Sequence, residues 1–159
     1  MRTLVVLRHA KSDWPGDLLD RDRPLAKRGR RQAPEAGAWL AAHLPPLDLA
    51  VISPAVRVRQ TWQLIAAELG DREPPMRLEE RVYASWGGEL VAVVRELPDH
   101  AHAAVLIGHN PGVEELVGEL TGTWVEMKTA AIAVLRWEGH WSVAGRAPAQ
   151  LVTHGRPPG

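Results

Sequence analysis

Apolar residues recur along this chain with two different periods. Thr3-Leu4-Val5-Val6-Leu7 and Ala103 to Gly108 are short apolar runs, the pattern of strands buried on both faces. Leu47 to Ser53 and Ala130 to Arg136 have the same character. Between these runs the spacing turns helical. Ala36, Trp39, Leu40 and Leu44 mark a helix over 25–44, with Pro34 expected to kink it or delay its start. Val58, Trp62, Ile65 and Leu69 mark a second, entered through Pro54 as a first-turn proline and ended by Gly70. Leu90, Val93, Val94 and Leu97 mark a third over 88–97, and Val113, Leu116, Val117 and Leu120 a fourth over 111–120. Arg77 to Glu79 fits a short strand. Residues 140–154 fit one or two antiparallel segments, with Gln150 to Thr153 the better strand. Polar residues dominate 11–24, which predicts a loop, long for a compact domain and so a candidate for function. Residues 155–159 are expected to fray.

Strands alternate with helices and then strands take over. That order predicts an α/β protein: a three-layer α/β/α sandwich with a mainly parallel sheet and an antiparallel edge strand. The 159 residues carry no internal repeat or linker and are read as one domain over 1–159.

Composition narrows the function classes. Lys+Arg and Asp+Glu both number 19, so the formal net charge is zero and any anion site has to be local. There is no cysteine, which excludes disulfides, thiol nucleophiles and thiolate metal sites. Met1-Arg2-Thr3 is followed by only four apolar residues, too few for a signal peptide core or a membrane span, so a cytoplasmic location and no membrane partner are expected.

Candidate chemistry clusters at predicted strand ends, where open α/β sheets build their sites. Arg8-His9 follows the first strand, Arg57 the second, and His109 the strand 103–108. Two guanidiniums and two imidazoles brought to one sheet edge suit a tetrahedral dianion. The guanidinium fork donates paired hydrogen bonds, and the N-termini of the second and fourth helices add free N–H groups. A histidine among cations is held neutral and can attack phosphorus, with the cations matching charge on the equatorial oxygens. An ester leaving group also needs a proton, for which Glu80 is the candidate acid.

Four ordered motifs carry a resemblance. Arg8-His9-Ala10-Lys11-Ser12-Asp13-Trp14 resembles the opening of the histidine phosphatase superfamily, which includes phosphoglycerate mutases and acid phosphatases. Asp22-Arg23-Pro24-Leu25 with Gly29, Gln32 and Ala33, then Ser53-Pro54-Ala55-Val56-Arg57 with Gln60-Thr61, then Gly108-His109-Asn110-Pro111, are similar to its later motifs. The small SixA-type phosphohistidine phosphatases are the most similar branch. The resemblance spans residues 3 to 136 and implies a phosphoglycerate mutase-like fold. It also implies His9 as the phosphorylated nucleophile, Arg8, Arg57 and His109 around the phosphate, Ser12 and Asn110 as substrate contacts, and no metal or cofactor. Glu80, in Leu78-Glu79-Glu80-Arg81, falls where larger members carry a proton donor.

The chain has no spare segment for a lid. That favours a bulky substrate, a phosphohistidine on a signalling or phosphocarrier protein. A small phosphate ester such as a sugar phosphate or nucleotide is the alternative, and a non-catalytic phosphate-binding module ranks below both. Lys27-Arg28-Gly29-Arg30-Arg31 reads as a solvated helix face before it reads as a nucleic-acid patch or as a dock for an acidic partner, and no nucleic-acid partner is expected. His100-Ala101-His102 lacks a metal-ligand motif and is assigned to a polar loop. Trp39 and Trp62 are assigned to the core and Trp14 and Trp86 to loops. Oligomeric state is not legible.

Overall fold

The computed structural model describes residues 1–83 and 85–159. Six strands form one sheet: β1 (Arg2–Arg8), β2 (Leu49–Ile52), β3 (Met76–Leu78), β4 (Ala103–Gly108), β5 (Ile132–Trp137) and β6 (Gln150–Gly155). Their order is β3-β2-β4-β1-β5-β6. The β3-β2, β2-β4 and β4-β1 ladders are parallel, and β5 pairs antiparallel with both β1 and β6. Helices α1 (Lys27–His43) and α2 (Val56–Leu69) cover one face, and α3 (Gly87–Arg95) and α4 (Gly112–Thr121) the other.

The unbroken apolar runs are explained by this burial on both sides. In β1, Val5 and Leu7 pack with Leu40, Val58 and Ile65 of α1 and α2, while Leu4 and Val6 pack with Val93, Leu116 and Leu120 of α3 and α4. β4 alternates likewise, Val105 and Ile107 to the first core and Ala104 and Leu106 to the second. Close approach of α1 to α2 requires Gly37, where a Cβ would come within 2.9 Å of the Ile65 Cα.

Register sets the site. Arg8 pairs with Gly108, and Ile52 with Ile107. His9, Ser53 and His109 therefore leave three adjacent parallel strands almost side by side. The chain steps from β1 outward to β2 and β3, returns to β4, and then crosses to β5. The crevice lies between β1 and β4, where the direction of winding reverses.

Several expectations change in detail. α1 starts at Lys27 and runs through Pro34, so the proline does not delay it. It gives up one backbone hydrogen bond within a helix held by five buried positions. Pro54 precedes the helix, with Ala55 as the N-cap of α2. Trp39 is half-buried and stacked on His43 at 4.7 Å, whereas Trp62 is core. The stretch after β5 holds a short 3-10 turn, Trp141–Val143, that buries Trp141, and then β6. The expected frayed tail is instead anchored: Gly155 pairs with Ile132 and Pro158 is buried. No helix among the described residues is long and apolar enough to cross a membrane.

Candidate active site

A cavity of about 280 Å³ at the carboxyl ends of β1 and β4 is lined by Arg8, His9, Ser12, Arg57, His109 and Asn110. Six of the seven expected site residues thus converge there. Lys11, Trp14, Arg23 and Thr129 complete the wall. No carboxylate lines this cavity among the described residues. Glu80, the candidate acid, stands outside it: its carboxylate is exposed and accepts from Arg21 at 3.0 and 3.2 Å. The local turn explains this. Glu79 accepts the Arg81 backbone N–H and pairs with the Arg81 guanidinium at 2.8 Å, and Arg81 also grips Glu96.

His9 is buried, and its Nδ1 lies 2.7 Å from the carbonyl oxygen of Ala10. A carbonyl only accepts, so Nδ1 carries the proton and Nε2 keeps its lone pair. Burial is the main cause that pulls His9 down to about 3. The Ala10 carbonyl opposes the shift, and His109, Arg57 and Arg8 add to it. His109 is pulled to about 4, by burial first and then by Arg57, with Asp20 acting in the opposite sense. The two rings sit 5.1 Å apart between centroids. His109 has the opposite tautomer. Its Nδ1 accepts from Arg57 at 3.3 Å, so Nε2–H donates to Ser53 Oγ at 2.8 Å.

Arg57 comes from the first turn of α2 and is itself buried. It donates to the backbone oxygen of Asp20 at 2.7 Å and to the Asp20 carboxylate at 3.1 Å. Asp20 also accepts from Arg23 at 3.0 Å and from the Tyr83 hydroxyl at 2.7 Å. Tyr83 first, then Arg23 and Arg57, hold the Asp20 carboxyl far below the usual carboxylate range. Arg23 lies over the Trp14 ring, 3.3 Å from its centroid, and donates to Ser12 Oγ. Arg8 donates to Met127 O at 3.1 Å, beside Asn110, whose Nδ2 donates to the same oxygen at 2.8 Å. The Nε atoms of Arg8 and Arg57 and the Oδ1 of Asn110 are buried without a partner. Four cationic side chains, Arg8, Lys11, Arg23 and Arg57, line this cavity with no carboxylate among its described lining, which fits an anion and no cation. No group of three metal-ligating side chains occurs among the described residues.

The loop carrying Ser12 and Trp14 is held from the helices. Thr61 Oγ1 accepts the Ala10 N–H at 3.1 Å, Gln32 the Lys11 N–H at 2.9 Å, and Gln60 the Leu25 N–H at 2.8 Å. Gly29 lets α1 rest on the backbone of Lys11, where a Cβ would collide with the carbonyl oxygen. Behind His9, Ala130 adopts a left-handed φ of 62°, and its N–H is shared by the carbonyls of Arg8 and His9. Sequence reasoning missed Arg23, Asp20, Tyr83 and Ser53 as parts of the site. Arg23 and Ser53 stand inside motif runs and were open to detection; Asp20 and Tyr83 carry no such signal.

A profile of the Histidine phosphatase superfamily (branch 1) matches residues 4–156. An uncharacterized protein of Mycobacterium tuberculosis is 36% identical over 157 residues, covering 92% of this chain and 96% of its own. A Haemophilus influenzae phosphohistidine phosphatase SixA homolog is 28% identical over 155 residues, covering 87% and 90%. Among solved structures, one from Nakamurella multipartitia, provisionally assigned as phosphohistidine phosphatase SixA, superposes with a TM-score of 0.86 at 30% identity, covering 97% of this chain and 95% of that one. With a family match over almost the whole chain and a shared fold, this chain belongs to branch 1 of the histidine phosphatase superfamily and is a phosphatase.

Proposed function

We propose that the protein removes the phosphoryl group from phosphohistidine on a protein partner, a signalling or phosphocarrier protein, through a phosphorylated His9. The observation that carries this reading is the fixed tautomer of His9, which leaves Nε2 unprotonated in a cavity walled by Arg8, Arg57 and Arg23. The Nε2 lone pair attacks phosphorus as the bond from phosphorus to the leaving nitrogen breaks. The guanidiniums spread over the equatorial oxygens and offset their charge, while His109, held between Arg57 and Ser53, keeps Arg57 in place. The Nδ1–H of the phosphorylated ring keeps its bond to Ala10 O, which supports the positive charge the ring acquires. Water then attacks phosphorus, the P–Nε2 bond breaks, and neutral His9 and phosphate are released.

The lining also favours a phosphoramidate. An alkoxide leaving group needs an acid, and the cavity offers no carboxyl among the described residues. A phosphohistidine whose ring is already protonated departs as neutral imidazole without one. The similarity to proteins assigned as phosphohistidine phosphatases points the same way. A small phosphate ester is the second reading, favoured by a cavity of about 280 Å³, wide enough for a phosphate and a short leaving group.

The test incubates purified protein with a histidine-phosphorylated carrier domain and, separately, with a panel of phosphate esters, with His9→Ala as control. Faster phosphate release from the protein substrate, an acid-labile phosphoprotein intermediate, and loss of both in His9→Ala support the proposal. Faster release from one ester moves the activity to small molecules. Wild-type hydrolysis by His9→Ala ends the nucleophile assignment, and phosphate binding without any turnover leaves a binding module.

A further inference from the structure

A second cavity, of about 420 Å³, opens beside the first and shares Arg8, Lys11, Asn110 and Thr129 with it. Three further cations reach it from separate parts of the chain: Arg28 from the first turn of α1, Lys128 from the segment before β5, and Arg156 just after β6. Arg28 belongs to the basic stretch 27–31, for which the first cavity has no use. Among the described residues, none of Lys11, Arg28, Lys128 and Arg156 has a carboxylate within ion-pair distance.

Two carboxylates, Glu114 and Glu126, also line this cavity. Glu114 is committed to the Met127 N–H, which it accepts at 2.6 Å. Five cations against two carboxylates leave a local excess of three positive charges, in a chain whose formal net charge is zero. The excess is therefore a property of this place and not of a generally basic surface. Like charges gathered without partners repel one another, and an anion among them relieves the repulsion. Arg8 stands in the wall between the two cavities with its Nε unpartnered.

We propose that this cavity is a second anion subsite. It takes a carboxylate or phosphate borne on the leaving portion of the substrate while the transferred phosphoryl group lies against His9. The proposal rests on the phosphatase reading above and narrows its substrate class to phosphoryl compounds that carry a second anionic group. On a protein substrate that group is an acidic side chain beside the phosphohistidine; on a small molecule it is a second phosphate.

The experiment compares kcat/KM within two matched pairs. One pair is 1,3-propanediol bisphosphate and propyl phosphate. The other is a phosphohistidine peptide flanked by Asp and Glu and the same peptide flanked by Ser and Gly. The enzyme is wild type and the combined variant Arg28→Ala/Lys128→Ala/Arg156→Ala, which alters three exposed side chains, with thermal unfolding to verify its fold. The expected result is a preference of about tenfold for the charged member, expressed in KM, weakened by salt and lost in the variant. The pair that shows it identifies the source of the anion. Equal kcat/KM within both pairs, or a preference untouched by the variant, overturns the subsite. If neither pair is hydrolysed, the substrate reading of the proposed function is what fails. Calorimetric binding of the bisphosphate and propyl phosphate to His9→Ala then decides the subsite. Equal affinity overturns it, and a preference lost on adding the three substitutions supports it.

Discussion

His9 and His109 make the stability of this fold depend on pH between about 5 and 7. Burial first, and the surrounding cations after it, hold them at about 3 and about 4. In the unfolded chain each imidazole returns to about 6.5. Below pH 6.5 the unfolded chain therefore binds protons that the folded chain refuses, and the unfolding free energy falls with pH. The stability is fully present above the unfolded value and is lost progressively as pH falls toward the folded values. Between pH 7 and pH 5, protonation stabilises an unfolded imidazole by about 2 kcal/mol that the folded His9 forgoes. His109 is more open, so its share is smaller, and the two together cost about 3–4 kcal/mol. That is a large part of the 5–15 kcal/mol by which folded domains are usually stable. Unfolded carboxylates titrate near 4, so Asp20 contributes mainly below this window.

The assay is urea unfolding of wild type, His9→Gln and His109→Gln at pH 7 and pH 5. Glutamine is neutral at both pH values and fits roughly the same space. His9→Gln is expected to lose about 2 kcal/mol less than wild type on going from pH 7 to pH 5, whatever its stability at pH 7. His109→Gln should show a smaller difference of the same sign. A His9→Gln protein that loses as much as wild type would refute the reasoning, because His9 would then be accepting its proton in the folded state.

Gly29→Ala puts a methyl group onto the Lys11 carbonyl oxygen, with the Lys11 N at 2.9 Å, so α1 or the first loop has to move; the expected cost is about 1–3 kcal/mol, seen as a lower Tm, and an unchanged Tm would contradict it. Thr61→Val leaves the buried Ala10 N–H without its acceptor and should cost about 1–3 kcal/mol in chemical unfolding, whereas Thr61→Ser should recover most of it. Ser53→Ala removes the acceptor of His109 Nε2–H; kcat is expected to fall about tenfold with a near-native Tm, since an outer partner that orients a working ring is worth that much, and full activity would show that Arg57 alone holds the ring.

The sequence was most legible where one local rule governs a whole segment. β1 and β4 are unbroken apolar runs because both of their faces are covered, and the Arg8–Gly108 register follows from pairing two such runs in parallel. Arg8, His9, Arg57 and His109 then needed only the rule that sites form at strand ends. The first loop was illegible for the opposite reason. Its path is set by Gln32, Gln60 and Thr61, which satisfy its N–H groups from helices up to 51 residues away in the chain. No periodicity announces such a contact. The place of Asp20 over Arg57 and Tyr83 depends on that path. Glu80 misled because a four-residue likeness says nothing about the turn. Glu79 caps that turn through the Arg81 N–H, and Glu80 is left to Arg21 in solvent. The tail was misread because terminal residues fray only when nothing pairs with them, and Gly155 has Ile132.

His9, the proposed nucleophile, and its surroundings owe their state to different lengths of chain. The tautomer of His9 is fixed by the carbonyl of the very next residue, so it depends on the backbone turn after β1 and on Thr61, which fixes the Ala10 N–H. The charge around it comes from β1, the first loop and α2. Those cations act twice. They line the cavity with positive charge that suits an anion, and Arg57 and Arg8 also help to keep both imidazoles unprotonated. A neutral substitution at Arg57 removes both actions together: it weakens anion binding and lets His109, which feels Arg57 second only to burial, recover toward its ordinary value. A loss of activity in such a variant therefore does not measure phosphate binding alone, and its pH profile is what separates the two contributions.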